Sequence, residues 1–155
     1  MPDAAIGMLA WQPAVLAAQA VASGAMCGVI WFVQLVHYPL FARVAGVDGR
    51  GYAVENQRRT AWVVLPFMLV EGATAAVVAA FPPAGVGRPL ALAGAAAVVA
   101  LWLSTLAVQM PLHARLAADG HAPATVAALV RSNWPRTILW TFRAILAAWM
   151  LAAGR

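Results

Sequence analysis

Four long apolar runs, separated by more polar stretches, restrict this chain to a membrane fold. Residues 4–36 contain no charged side chain. Because about 20 apolar residues in a helix cover the hydrocarbon core of a bilayer, we place spans at about 14–36, 61–81, 90–110 and 134–153. The chain is 64% hydrophobic and 10% charged, whereas a soluble domain is about 25% charged. The sequence therefore predicts an all-α fold, an integral membrane four-helix bundle that forms a single transmembrane domain over residues 1–155.

The polar stretch that follows the first run recurs after the third run. The pattern PLFAR at 39–43 returns as PLHAR at 111–115, and NQRRT at 56–60 returns as NWPRT at 133–137. We call residues 37–60 and 111–133 the two joints, because each connects two apolar runs. The recurrence predicts two tandem, parallel two-helix repeats, at about 14–81 and 90–153, related by an axis along the membrane normal. The alternative is two interfacial segments that are similar without a duplication.

The arginines predict the orientation of the chain in the membrane. All ten basic residues are arginines, and the formal net charge is +5. Most of them lie in or beside the joints. Positive-inside counting therefore places both joints in the cytoplasm and both termini outside, as in a multi-pass protein of the bacterial inner membrane. Since the arginines adjoin apolar runs, the expected partner is the lipid bilayer and not a nucleic acid; a homo-oligomer stays open.

Two histidines lie at the ends of the odd-numbered runs. His37 follows Gln34 by three residues and His113 follows Gln109 by four, so each pair shares a helical face if the helix continues. Pro111 weakens that expectation in the second joint. The two histidines would lie at similar depth and could flank one site, as metal ligands, haem ligands or proton carriers. Interfacial side chains that are wet on one side are the alternative, because no further ligand set accompanies them.

Polar side chains also stand where the second and fourth spans begin. Asn56, Arg59, Asn133 and Arg136 fit helix caps and arginines that reach the headgroups. Alternatively, they form a ring of donors around a cleft that holds an anionic or quinone-like group. Tyr38 could add a phenolic donor to that ring, or belong to the aromatic belt of the interface.

Three further features have an expected placement. Trp31, Trp102 and Trp140 lie deep in the spans, where they could stack on a flat ligand or pack in the core. His121 is flanked by Gly and Pro and is expected to be solvated. The small residues at 20, 24 and 28, and those at 91–95, predict faces on which helices pack closely.

Two charges fall inside the predicted spans. At about 1.5 Å per residue, Glu71 lies about 15 Å and Arg143 about 13–14 Å from the start of its span. Each charge alone would cost roughly 2.5–3.5 kcal/mol at the centre of a membrane helix. The two are therefore predicted to pair. The pair is either a strut between two spans or a mark of a ligand or proton path.

Three segments carry a resemblance to known families. With VQLVHYPLF at 33–41, Glu71 and NWPRTILWTFR at 133–143, the chain resembles a family of small, uncharacterised bacterial four-span membrane proteins over about residues 30–150. More distantly, the second half is similar to the anthrone-oxygenase-like family. That family has a Pro-x-Asn element after the third span and an arginine near the start of the fourth. His113 stands where its asparagine would fall, so the resemblance does not carry the oxygenase activity with it.

Two functions from different classes follow. The first is a membrane-embedded enzyme or redox protein with a cytoplasm-side cleft for a lipophilic aromatic or quinone-like molecule. The second is a non-catalytic accessory protein that binds a lipid or a protein partner; transport is weaker, because four spans provide a small pathway. The candidates for catalysis are His37, His113, Glu71 and Arg143, and those for ligand binding are Tyr38, Asn133, Arg136 and Trp140. A haem or metal cofactor is left open, with His37 and His113 as its candidate ligands.

Overall fold

The computed structural model describes residues 11–44, 47–83 and 85–154, without the side chains of residues 47 and 48. Its α-helices are Gln12–Phe32, Tyr38–Leu40, Val47–Ala80, Arg88–Ser104, Met110–Asp119 and Pro123–Ala153. Two π-helical turns, Val33–His37 and Thr105–Gln109, and a 3-10 turn, Phe41–Arg43, connect the shorter pieces. Four continuous rods result, Gln12–Arg43, Gly49–Ala80, Arg88–Asp119 and Pro123–Ala153, each long and apolar enough to cross a membrane. We call them spans one to four.

The spans form an up-down-up-down bundle. Span one packs against spans two and four, and span three packs against the same two neighbours. The links at 81–87 and 120–122 are short, so the helices that they join run antiparallel side by side. The all-α four-helix bundle expected from the apolar runs is confirmed. We call the end at which spans one and two, and spans three and four, are linked the joint end.

Most of the described part of each joint is helical. Gly49 and Gly51 do not interrupt the structure, because both lie in the helix Val47–Ala80. Residues 52–59 and 125–131 are parts of the long helices of spans two and four. Ala53, together with Val126 and Leu129 from span four, is buried in the core of the joint end. This packing outweighs the unfavourable helix propensity of the glycines.

Each π-helical turn is followed, two positions later, by a proline. In both turns the N–H of the residue before the proline donates to the carbonyl five residues earlier. A proline in a regular helix lacks an N–H, and its ring collides with the carbonyl four residues before it. The wider turn relieves that collision, so the helix after Pro111 continues to Asp119 instead of ending.

Only one of the two expected small-residue faces lies inside the bundle. Gly94 is buried where span three meets span four, and a Cβ there would be 3.0 Å from Nη1 of Arg143. Gly24 and Gly28 are exposed, and a Cβ at either position would have no described atom within 4 Å. Gly24 and Gly28 therefore do not pack against another described span. Span one instead turns inward the side that carries Ser23, which bonds to another span.

Candidate functional site

A cavity of about 590 Å³ lies in the joint-end half of the bundle. Its walls are mostly apolar side chains from the first three spans: Met26, Ile30, Val33, Val64, Leu65, Met68, Trp102 and Leu106. Leu65 of span two and Leu106 of span three, which line it, are also about half exposed. We infer from their exposure that the cavity opens sideways between these two spans, on the apolar flank of the bundle. Its volume falls in the range of roughly 300–1,000 Å³ that is usual for small-molecule sites.

Polar groups line the cavity towards the joint end. The Nε2 atom of His37 shares a hydrogen bond of 2.8 Å with Oδ1 of Asn56. The Tyr38 hydroxyl shares one of 3.0 Å with Nε2 of His113. Both pairs line the cavity, as does Arg136. The site thus combines a long apolar wall with one end rich in donors and acceptors.

The two histidines share this end of the cavity but do not face each other across an open gap. The rings of Tyr38 and Phe41 each pack against both imidazoles, with centroids 4.9 to 6.4 Å apart. The Nε2 atoms of the two histidines are bonded to different partners. In the described part of the chain, no three His, Cys, Asp or Glu side chains gather as a metal site would require. The geometry favours a hydrogen-bonding role for both histidines.

Arg136 reaches the cavity from span four through a buried hydrogen-bond network. Its Nη1 donates to Oδ1 of Asn133 at 2.8 Å, and its Nη2 donates to the Thr105 hydroxyl at 3.2 Å. The guanidinium carbon lies 5.0 Å from the ring centroid of Trp140, a cation–π distance. Asn133 in turn donates to Oε1 of Gln34 at 2.9 Å. Spans one, three and four therefore hold this arginine in place.

Glu71 and Arg143 meet in the middle of the bundle, as their equal depth predicts. The Nε atom of Arg143 donates to Oε1 of Glu71 at 3.2 Å, and both side chains are almost completely buried. The same carboxylate accepts from the Ser23 hydroxyl at 2.7 Å and from Nε1 of Trp140 at 3.0 Å. The predicted pairing is confirmed. One carboxylate thus joins spans one, two and four.

The structure separates the candidate residues into two sets. His37, Tyr38, His113 and Arg136 line the cavity, whereas Asn133, Trp140, Glu71 and Arg143 do not. Asn133 and Trp140 are fully buried, and both contact Arg136. Trp140 connects the two sets, because its ring lies against Arg136 and its Nε1 bonds to Glu71.

Of the two interpretations of Arg59, the structure favours an arginine at the surface, and the expectation of a solvated His121 is wrong. Arg59 is exposed and pairs with Glu55 one turn earlier, so it is not part of a donor ring around the cavity. His121 is 8% exposed, not solvated. Its ring packs against Phe41 at 5.0 Å and Tyr52 at 5.7 Å, because the link between spans three and four folds onto span one. Burial lowers the pKa of the His121 imidazole from its ordinary value.

Of the deep tryptophans, Trp102 lines the apolar wall. Two contributors to the site were missed from sequence, Thr105 and Ser23. Thr105 fixes Arg136, and it does not differ from the other hydroxyl residues in the spans. Ser23 bonds to Glu71. A signal for it existed, since Gln19 and Ser23 are polar, lie four apart in an uncharged run, and share one helical face.

Comparison with protein-family models, curated proteins and solved structures finds no match to this chain. The site is therefore interpreted from its own geometry. Its apolar wall can hold a lipophilic body, and its polar end can bind oxygen atoms. The hydrogen-bonded hydroxyl of Tyr38 and imidazole of His113 can also pass a proton, as phenols and imidazoles do in acid–base catalysis.

Proposed function

We propose that this protein takes a lipophilic molecule from the bilayer into the joint-end cavity and binds its oxygen-bearing head group beside Tyr38, His113 and Arg136. One observation carries the proposal: a cavity with an apolar wall, which includes the exposed Leu65 and Leu106 of neighbouring spans, ends in the polar side chains of Tyr38, His113 and Arg136. Such a shape suits a molecule that arrives through the lipid and not through water. An aromatic or quinone-like body fits the flat ring of Trp102 in the wall.

The polar end of the cavity supports a membrane-embedded enzyme or redox protein, which would convert the bound molecule and not only hold it. A quinone-like or phenolic head gains and loses protons when it reacts. The hydroxyl–imidazole bond between Tyr38 and His113 supplies a donor and an acceptor at the place where that head would lie. In this proposal Tyr38 and His113 exchange the proton, and Arg136 orients the oxygen.

We also propose the placement and ancestry that the sequence predicts. The joints face the cytoplasm of a bacterial inner membrane and both termini lie outside, on the support of the arginine distribution. The two halves arose by duplication, as the recurring joint patterns suggest; each half also has a π-helical turn just before its Pro-Leu pair. The resemblance to small bacterial four-span proteins belongs to the same proposal.

A cavity-blocking substitution tests the binding function. Ala61 lines the cavity on span two, whereas Ala76 is exposed on the same helix away from it. We expect Ala61→Phe to deplete a lipophilic molecule that co-purifies with the wild-type protein, because the added ring occupies the cavity. Ala76→Phe is the matched control and should retain it. Solvent extraction and mass spectrometry of the three purified proteins measure the content.

The same samples distinguish the two classes of function. An aromatic or quinone chromophore in the absorption spectrum, reduced in Ala61→Phe alone, supports the enzyme or redox form. A colourless acyl lipid depleted in the same way supports the non-catalytic alternative of lipid binding. Equal contents of every lipophilic molecule in all three proteins would show that the cavity binds none of them.

A further inference from the structure

The charge of Arg136 is not balanced by any described carboxylate. The described ion pairs are Glu55 with Arg58 and Arg59, and Glu71 with Arg143. Arg136 is only 6% exposed, and its hydrogen-bond partners are the neutral side chains of Asn133 and Thr105. A buried guanidinium without a counter-charge is unfavourable. Within a membrane span, such a residue calls for a partner.

Arg136 also has N–H groups that its described hydrogen bonds leave unused. A guanidinium has five N–H groups, and its described hydrogen bonds use one on Nη1 and one on Nη2. Its Nε atom is buried and has no partner among the described residues. Arg136 lines the cavity, so a ligand in its polar end lies beside the guanidinium. A carboxylate matches two neighbouring N–H groups of a guanidinium and forms two parallel, charge-assisted bonds.

We propose that the ligand of this cavity carries one carboxylate, which binds Arg136, on a lipophilic body that lies along the apolar wall. This inference rests on the proposed binding function and narrows its ligand class from oxygen-bearing heads in general to acids. A neutral quinone would leave the guanidinium without a counter-charge. An acid provides the counter-charge and adds an acceptor beside the Tyr38 hydroxyl. The body is either aromatic or a single acyl chain.

Matched acid and alcohol probes test the proposal. Hexadecanoate is compared with hexadecanol, and 2-naphthoate with 2-naphthylmethanol, by isothermal titration calorimetry of the full chain in uncharged detergent micelles. We expect an acid to bind roughly tenfold or more tightly than its alcohol, the scale of a charge-assisted pair. The pair that shows the preference identifies an acyl or an aromatic body.

Three variants assign the preference to Arg136. Arg136→Gln should bind acid and alcohol with similar affinity, and Arg136→Lys should keep part of the preference because it keeps the charge. Arg131→Gln is the matched control, because Arg131 is exposed on the same span and does not line the cavity. It should behave as the wild type does.

Each other outcome overturns the inference. If the wild type binds acid and alcohol equally in both pairs, the proposal that the ligand carries a carboxylate is wrong, although the binding function stands. This comparison needs no variant. If Arg136→Gln keeps the full preference for acid, the assignment to Arg136 is wrong. If no probe binds and Ala61→Phe also loses no co-purified molecule, the binding function fails together with the inference.

Discussion

Removing the carboxylate of Glu71 should strongly destabilise the bundle. Glu71→Ala leaves the guanidinium of Arg143, which is fully buried, without its only described counter-charge. It also removes the acceptor for Ser23 and for Trp140. Breaking a buried ion pair from one side costs about 3–5 kcal/mol. For a chain of this size, a shift of about 2–4 °C per kcal/mol lowers the unfolding temperature by about 6–20 °C.

Loss of helical circular dichroism on heating in detergent measures the effect. The paired change Glu71→Leu with Arg143→Met should recover most of the loss, because two apolar side chains replace two charges that needed each other. Glu55→Gln is the control: Glu55 also pairs with arginines but is substantially exposed, so exposed-pair energetics predict little change. An unfolding temperature of Glu71→Ala equal to that of the wild type would refute the reasoning. So would a double variant as unstable as the sum of its two single changes.

Two further predictions concern the ends of the bundle. Gly85→Ala should lower the unfolding temperature, because a Cβ there would lie 1.8 Å from the carbonyl oxygen of Ala153. Gly87→Ala is the control, because a Cβ there would lie 3.8 Å from its nearest neighbour, Cδ of Pro89. Equal stability of the two variants would contradict the expectation. Single cysteines at Arg50 and Asp119, both exposed at the joint end, should resist an impermeant thiol reagent in intact cells when the chain is otherwise cysteine-free. Labelling of either position would reverse the proposed orientation.

The fold and the central ion pair could be predicted from sequence because one large free-energy term decides each of them. Apolar runs of sufficient length have few alternatives to spanning a bilayer. Glu71 and Arg143 are at equal depth, and an unpaired charge there is costly. The rise per residue of a helix was therefore enough to predict that the two side chains pair, and the structure confirms the pair.

The packing face of span one could not be predicted, because two faces of the same helix were each suited to contact a neighbour. Span one has a glycine side and a polar side, and the polar side turned inward because Glu71 offered Ser23 a partner. Periodicity shows both sides but not which of them prevails. The cavity could not be predicted either, because its space beside Trp102 depends on how side chains from several spans pack together. The burial of His121 required knowledge of how a link folds back onto Phe41.

The two π-helical turns give insertions and deletions an unusual effect in this chain. A π-helical turn contains one residue more than a regular turn, and each residue rotates a helix by about 100°. Because the wide turn absorbs that extra residue, deleting one residue from 33–37 or 105–109 would restore a regular turn and leave the side chains on both sides close to their present phase. The proline that follows, Pro39 or Pro111, would then stand in a regular helix, where its ring collides with the carbonyl four residues before it. The consequence of such a deletion is therefore local strain at the proline and not a rotation of Tyr38 or His113.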